Sequence, residues 1–323
     1  MKPARFVDAV LEASVVGSFT RLGYEARRRL YDWTPLADLR LDGKMAIVTG
    51  ATSGLGRQAA DLLARQGAHV CVVGRNAEKT ARVCAEIAGS ESDVADLSSL
   101  AETRAFAERF AAAHDSLDVL ILNAGAMTHD FTLTDEGFEV TFATQVLSQF
   151  LLIRELLPLL EAASSARVII VASGGMYLER LDVGALQPTA AEYDGVKAYA
   201  RAKRAQVALA EEWTRRLAGT NVTVNTMHPG WSDTPGLRKA LPGFSRSLSP
   251  LLRSVHQGAD TIAWLAASAD VAGRSGLFFL DRRARPTHRK RSTRRLDEAH
   301  ERARLWAICQ KATDSFSGRE SVS

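Results

Sequence analysis

From residue 45 onward, short apolar runs alternate with longer stretches in which apolar positions recur every three or four residues. The runs 45–49, 70–73, 119–123, 168–172, 222–227 and 277–280 are strand-length, and most lack the in-out alternation of a strand with one wet face. They predict strands buried on both sides, as in a parallel sheet. An abbreviated third strand precedes Asp96. The stretches 57–66, 138–161, 198–217 and 258–268 predict helices with too many apolar residues to be solvated all round, so both faces of the sheet are covered. The expected class is α/β, a doubly wound parallel sheet.

The two ends follow different patterns. In residues 1–40, Val7, Leu11, Val15, Phe19 and Leu22 recur at helical spacing with Phe6 and Val10 beside them, and Asp8, Glu12 and Arg21 interrupt them. This predicts an amphipathic helical extension that either packs on the domain or docks on a membrane surface or partner. With 323 residues, 46% of them hydrophobic, the chain can bury one large core. The expected organisation is an extension over 1–40, one domain over 41–281 and a basic tail with a short helix over 282–323. The net charge of +4 resides in that tail, which holds twelve Lys/Arg against five Asp/Glu. Cys71, Cys84 and Cys309 show no metal or disulfide spacing, which fits a reducing compartment. No run of eighteen uninterrupted apolar residues is present, so a cytoplasmic protein is expected, or one peripheral at a membrane surface.

The first strand runs into Thr49-Gly50-Ala51-Thr52-Ser53-Gly54-Leu55-Gly56 and directly into a helix. Glycines at such a turn let the backbone approach a pyrophosphate, and the helix N-terminus offers it unpaired N–H groups, so Gly50, Ser53, Gly54, Leu55 and Gly56 are candidate dinucleotide-binding residues. The second strand ends at Gly74-Arg75, where a carboxylate for the ribose hydroxyls is missing. Arg75, with Ser53, suits a 2′-phosphate, which favours NADP(H) over NAD(H) unless Arg75 is merely a solvated loop residue. Asp96-Leu97 is placed to reach the adenine, and a helix N-cap is the competing role for Asp96.

Asn123-Ala124-Gly125 and Ser173 close the fourth and fifth strands at the carboxyl edge, where open α/β sheets bind ligands. Tyr199 and Lys203 follow four residues apart on one helix face. A carbonyl gaining hydride needs a proton, and a phenol beside an ammonium is expected to have its pKa lowered to deliver one. Ser173 would anchor the substrate oxygen. A second pair, Tyr193 and Lys197, is rejected because Gly195 interrupts it and the uninterrupted helix is expected to follow Lys197. Beyond the sixth strand, Pro229, Gly230, Ser232 and Thr234 are candidates for the nicotinamide carboxamide, and 237–256, apolar between prolines, reads as a lid.

In this order the motifs Thr49–Gly56, Asn123–Gly125, Ser173, Tyr199/Lys203 and Pro229–Thr234 resemble those of the short-chain dehydrogenases/reductases across about residues 43–281. The gap from Ser173 to Tyr199 is similar to that of the retinol-dehydrogenase-like branch, where the insert shapes an apolar substrate mouth. The segments 173–176, 227–236, 257–261 and 278–282, with 23–25, resemble one subgroup of it. The resemblance implies a Rossmann fold, a nicotinamide cofactor, a lipophilic alcohol or carbonyl substrate, and a homodimer or homotetramer. Lys203 would also hold the nicotinamide ribose. It departs at Gln145, which stands where the family has an active-site Asn holding a relay water. That departure, with the extra ends, motivates a rival reading as a cofactor-binding sensor or scaffold. The basic run 289–295 either is solvated or meets acidic lipid. No aromatic residue interleaves with it, so no nucleic-acid partner is expected.

Overall fold

The computed structural model describes residues 3–289, 293 and 298–315. Three helices open the chain: α1 (Pro3–Ala13), α2 (Val15–Phe19) and α3 (Arg21–Leu30). Strands and helices then alternate as β1 (Met45–Thr49), α4 (Gly54–Arg65), β2 (His69–Gly74), α5 (Ala77–Glu86), β3 (Ser90–Val94), α6 (Leu100–Ala113) and β4 (Val119–Leu122). Next come α7 (Val140–Phe142), a π-helical turn (Ala143–Leu147), α8 (Ser148–Ala162), β5 (Ala166–Val171), α9 (Gly195–Arg216) and β6 (Val222–Met227). The chain continues through α10 (Pro235–Ala240), α11 (Pro242–Leu248), α12 (Val255–Ala267), β7 (Phe278–Leu280), β8 (Arg283–Arg285) and α13 (Glu298–Asp314).

The strands form one sheet in the order β3-β2-β1-β4-β5-β6-β7-β8, parallel except for β8 at the edge. Strand order reverses between β1 and β4, which opens a crevice at their carboxyl ends. One apolar cluster lies under α6, α8, α9 and α13, and another under α4 and α12, so the sheet is covered on both faces as expected. The stretch 140–162 is long and apolar enough to cross a membrane, but it is mostly buried as a central core helix. Cys71, Cys84 and Cys309 are free thiols.

Three features differ from the sequence reading. The extension is three helices rather than one, because Ser14 caps α2 by accepting from Gly17 N and so starts a new helix. The boundary at 282 falls inside the β7–β8 hairpin, and α13 buries Leu305, Cys309 and Ala312 in the core. The helix expected in the tail is α13, and residues 296–297 before it, like 290–292 and 294–295 of the basic run, lie outside the described residues. Finally, α9 starts at Gly195, where the Asp194 carboxylate accepts from Val196 N and Lys197 N, so the helix begins before Lys197.

Candidate active site

The glycine turn is shaped by close approach. Gly50 adopts φ +64°, and a Cβ there would lie 2.9 Å from Ala124 Cα; a Cβ on Gly56 would lie 2.4 Å from Gly50 O. Asn123 fastens the turn to β4 by donating from Nδ2 to Thr49 O at 2.9 Å, while Thr49 Oγ1 accepts from Asn123 N and Ala124 N. Ser53, the residue before α4, makes no side-chain cap, so its hydroxyl and the first N–H groups of the helix remain available to an anion. Gly54, at φ +55°, borders Thr234, which brings the loop after β6 to the same turn. Leu55 follows as the second residue of α4. This cradle fits a dinucleotide phosphate.

Arg75 is exposed just past β2. The Asp96 carboxylate accepts from Ser98 N and Oγ, and the N-cap of α6 is Ser99, so Asp96 is not the cap. Leu97 is buried in the core. Pro229 and Gly230 turn around Arg253: the Pro229 carbonyl accepts from its Nη1, and a Gly230 Cβ would sit 2.2 Å from its Nε. The Ser232 hydroxyl is buried against Gly258 and donates to Pro229 O, which leaves only backbone at that residue to meet a ligand.

At the chemical end, the Ser173 hydroxyl, which accepts from Gly175 N, stands near enough to the Tyr199 phenol to lower its pKa, and Lys203 Nζ lies 5.3 Å from the centre of the Tyr199 ring. Lys203 is 3% exposed and donates to Val171 O at 2.9 Å. Burial pushes its ammonium down to about 7. Burial raises the Tyr199 phenol, and the nearby Ser173 hydroxyl opposes that rise. The lowering of the phenol expected from the lysine is therefore not found in the chain alone, where desolvation outweighs the opposing Ser173 contact.

Gln145 lies in the π-helical turn, a local irregularity found often at functional sites. Its Nε2 donates to Ala126 O at 2.8 Å, its Oε1 is buried without a partner, and a Cβ on Gly125 would meet its side chain at 2.9 Å. Gln206, one turn beyond Lys203, donates to both Gln145 O and Gln149 Oε1. Gln206 and Gln149 went unread in the sequence, because they meet only once two helices far apart in the chain lie side by side.

Tyr193 stands outside α9, bonded to Thr128 and edge-on to Phe131, while Lys197 is largely exposed. Lys197 pairs with Asp194, so Tyr193 and Lys197 do not act together as Tyr199 and Lys203 do. Across the mouth, Trp231 packs against Phe244 of α11, and His129 bonds to Ala240 O; α10 and α11 are the two short helices within the expected lid. His228 is buried, and burial with the Arg253 charge pushes its imidazole down to about 3, so it is neutral.

The family model for short chain dehydrogenase matches residues 44–243. Dehydrogenase/reductase SDR family member 12 of Bos taurus is 40% identical over 278 residues, covering 84% of this chain and 86% of that protein. Retinol dehydrogenase 13 of Homo sapiens is 34% identical over 253 residues, covering 74% and 76%. Among solved structures, an uncharacterized protein from Mycobacterium Paratuberculosis aligns with a TM-score of 0.70 at 30% identity, covering 87% of this chain and 97% of that one. The Pseudomonas aeruginosa RhlG/NADP active-site complex aligns at 0.61 and 28% identity, covering 76% and 97%. The 3-ketoacyl-(acyl-carrier-protein) reductase of Brucella melitensis, complexed with NADH, aligns at 0.61 and 25% identity, covering 74% and 96%.

Proposed function

The chain belongs to the short-chain dehydrogenases, oxidoreductases that use a nicotinamide cofactor, and we propose that it interconverts an alcohol and a carbonyl on a lipophilic substrate, with NADP(H) preferred. The observation that carries this reading is Lys203 Nζ lying 5.3 Å from the centre of the Tyr199 ring while it donates to Val171 O, with the Ser173 hydroxyl near the same phenol at the carboxyl edge of the sheet. When bound, the nicotinamide supplies or receives the hydride.

The residues of the chain do the rest. Gly50, Gly54 and Gly56 keep the cradle open to phosphate, and Ser53 with the first turn of α4 binds it. Arg75 would pair with a 2′-phosphate, since β2 ends without a carboxylate. Ser173 holds the substrate oxygen. Tyr199 delivers a proton from Oη to that oxygen in reduction and takes it back in oxidation. Because burial keeps the phenol protonated near neutrality, its resting state is loaded for donation. Lys203, once charged, stabilises the phenolate left behind and holds the ribose. Trp231, Phe244, Phe131 and Tyr193 give the mouth an apolar, aromatic rim, which favours lipophilic substrates. Gln145 motivates the second reading, a protein that binds cofactor with little turnover.

A panel of lipophilic ketones and aldehydes with NADPH and NADH tests both. The expected result is NADPH-dependent reduction that Tyr199→Phe lowers about a thousandfold in kcat while NADPH fluorescence titration shows unchanged binding. Binding without Tyr199-dependent turnover across the panel would move the protein to the second reading.

A further inference from the structure

Phe19 and Tyr24 pack the extension on the domain, but α1 is held through charge and is turned inside out. Asp8 and Glu12, one turn apart on α1, face inward: Arg27 Nε meets Asp8 at 2.7 Å, Arg285 Nη2 meets Asp8 at 2.9 Å, and Arg289 pairs with Glu12. A helix resting on a soluble domain ordinarily turns its apolar side to that domain. Here the carboxylates are turned in and the apolar side faces out, with Phe6 62% and Val10 56% exposed. Val15 and Val16 of α2 and Leu22 of α3 are exposed as well. Phe19 and Tyr24 are the large apolar side chains of the segment that enter the domain.

The same helices carry a one-signed outer charge. Arg5, Arg21 and Arg29 are exposed and make no ion pair among the described residues, whereas Asp8 and Glu12 are consumed by the inner network and Glu25 pairs with Arg28. Exposed apolar side chains beside unneutralised arginines match a surface that is apolar beneath and anionic at its rim. A second copy of this chain is a poorer match, because it would bring arginines against arginines.

We propose that the outward face of α1–α3 docks this protein on an anionic lipid surface, with Phe6, Val10 and Leu22 entering the boundary between headgroups and acyl chains and Arg5, Arg21 and Arg29 meeting the headgroups. The docked segment also braces the substrate mouth: Trp231 N donates to Phe19 O at 2.8 Å, and the Trp231 ring packs on Phe244. The docking does not depend on the oxidoreductase reading, so the two stand or fall separately.

Co-sedimentation of the full chain with vesicles of phosphatidylcholine alone, and of phosphatidylcholine containing phosphatidylserine, tests it. The expected result is pelleting with the phosphatidylserine vesicles only, weakened by salt. Arg21→Ala and Arg29→Ala each lower partitioning about fivefold, and Phe6→Ser/Val10→Ser abolishes it; because these side chains are exposed, thermal unfolding of the variants stays as in the parent. Absence of pelleting with phosphatidylserine vesicles, equal pelleting with phosphatidylcholine alone, or variants that pellet like the parent would overturn the proposal. So would light scattering that finds a dimer dispersed by Phe6→Ser/Val10→Ser, which would assign the face to a second copy.

Discussion

Arg27 and Asp281, 254 positions apart, form a 2.6 Å ion pair in which neither side chain is exposed. Asp281 and Arg282 make the turn between β7 and β8, both with left-handed backbone at φ 54° and 56°. Non-glycine residues adopt that conformation only when their surroundings over-determine it. Arg27 and Arg253 hold the Asp281 carboxylate, and Asp260 holds the Arg282 guanidinium at 2.7 Å. The extension therefore supplies part of what fixes the edge hairpin, and through Arg253 it reaches the Pro229-Gly230 turn beside the site.

Removing the guanidinium should show this coupling. Arg27→Ala leaves Asp8 and Asp281 buried with fewer partners, and breaking a buried pair in this way costs about 3–5 kcal/mol. Denaturant unfolding is expected to show that loss, and limited proteolysis to show cleavage within α1–α3 before the sheet. A variant as stable as the parent would mean that Arg253 and Arg285 suffice alone.

The same network predicts an acid transition. Burial pushes the Asp8 carboxyl up, but hydrogen bonds and charge from Arg285 and Arg27 outweigh it and hold it at about 2, below its ordinary 3.8. A carboxyl lowered on folding contributes stability that is complete above its ordinary value and lost as pH falls through the lowered one. Hydrogen exchange should therefore find the amides of α1 protected above about pH 4 and progressively exposed towards pH 2. Protection that persists unchanged to pH 2 would contradict the assignment.

What the sequence revealed and what it hid follow from the range of the interactions. Strands β1, β2, β4, β5, β6 and β7 were legible because burial on both faces imprints apolar runs, and Tyr199 with Lys203 because one helical turn sets their distance. Strand β8 was not legible: Arg283 and Arg285 read as tail, since their acidic partner Asp8 lies at the other end of the chain. Periodicity showed that α1 has an apolar side, but not that Asp8 and Glu12 would turn the other side inward. The π-helical turn at Gln145 carries no local signature, and the role of Gln206 exists only once α8 and α9 are side by side.

Lys203 gives a pH prediction for the cofactor. Burial lowers its ammonium from 10.5 to about 7, so between those values the folded chain binds fewer protons than the unfolded one, and this group's contribution to stability rises with pH. A ligand that needs the charged form must restore the proton, so NADPH binding is expected to take up about one proton above pH 7, its affinity falling up to tenfold per pH unit. Calorimetry in buffers of different ionisation enthalpy measures the uptake. Lys203→Met should abolish it, and uptake that survives that change would place the titrating group elsewhere.

The start of α9 sets where the phenol stands, and Gly195 sets the start of α9. A Cβ at residue 195 would lie 1.8 Å from Thr128 O and 3.2 Å from His129 Cα, backbone atoms that cannot swing aside. Thr128 is further fixed by the Tyr193 hydroxyl, and His129 by Ala240 O at 2.7 Å. An added methyl group must therefore displace the loop or the first turn of α9, one turn before Tyr199. Gly195→Ala is expected to cost about 1–3 kcal/mol of stability and, because an ångström of misplacement costs about a hundredfold in rate, to lower kcat by about ten- to a hundredfold. NADPH affinity should change little, since the glycine turn lies on other elements. Gly243→Ala, where a Cβ meets nothing within 4 Å, is the matched control and should alter neither. If Gly195→Ala kept the kcat of the parent, the loop would be yielding, and the position of Tyr199 would not depend on that contact.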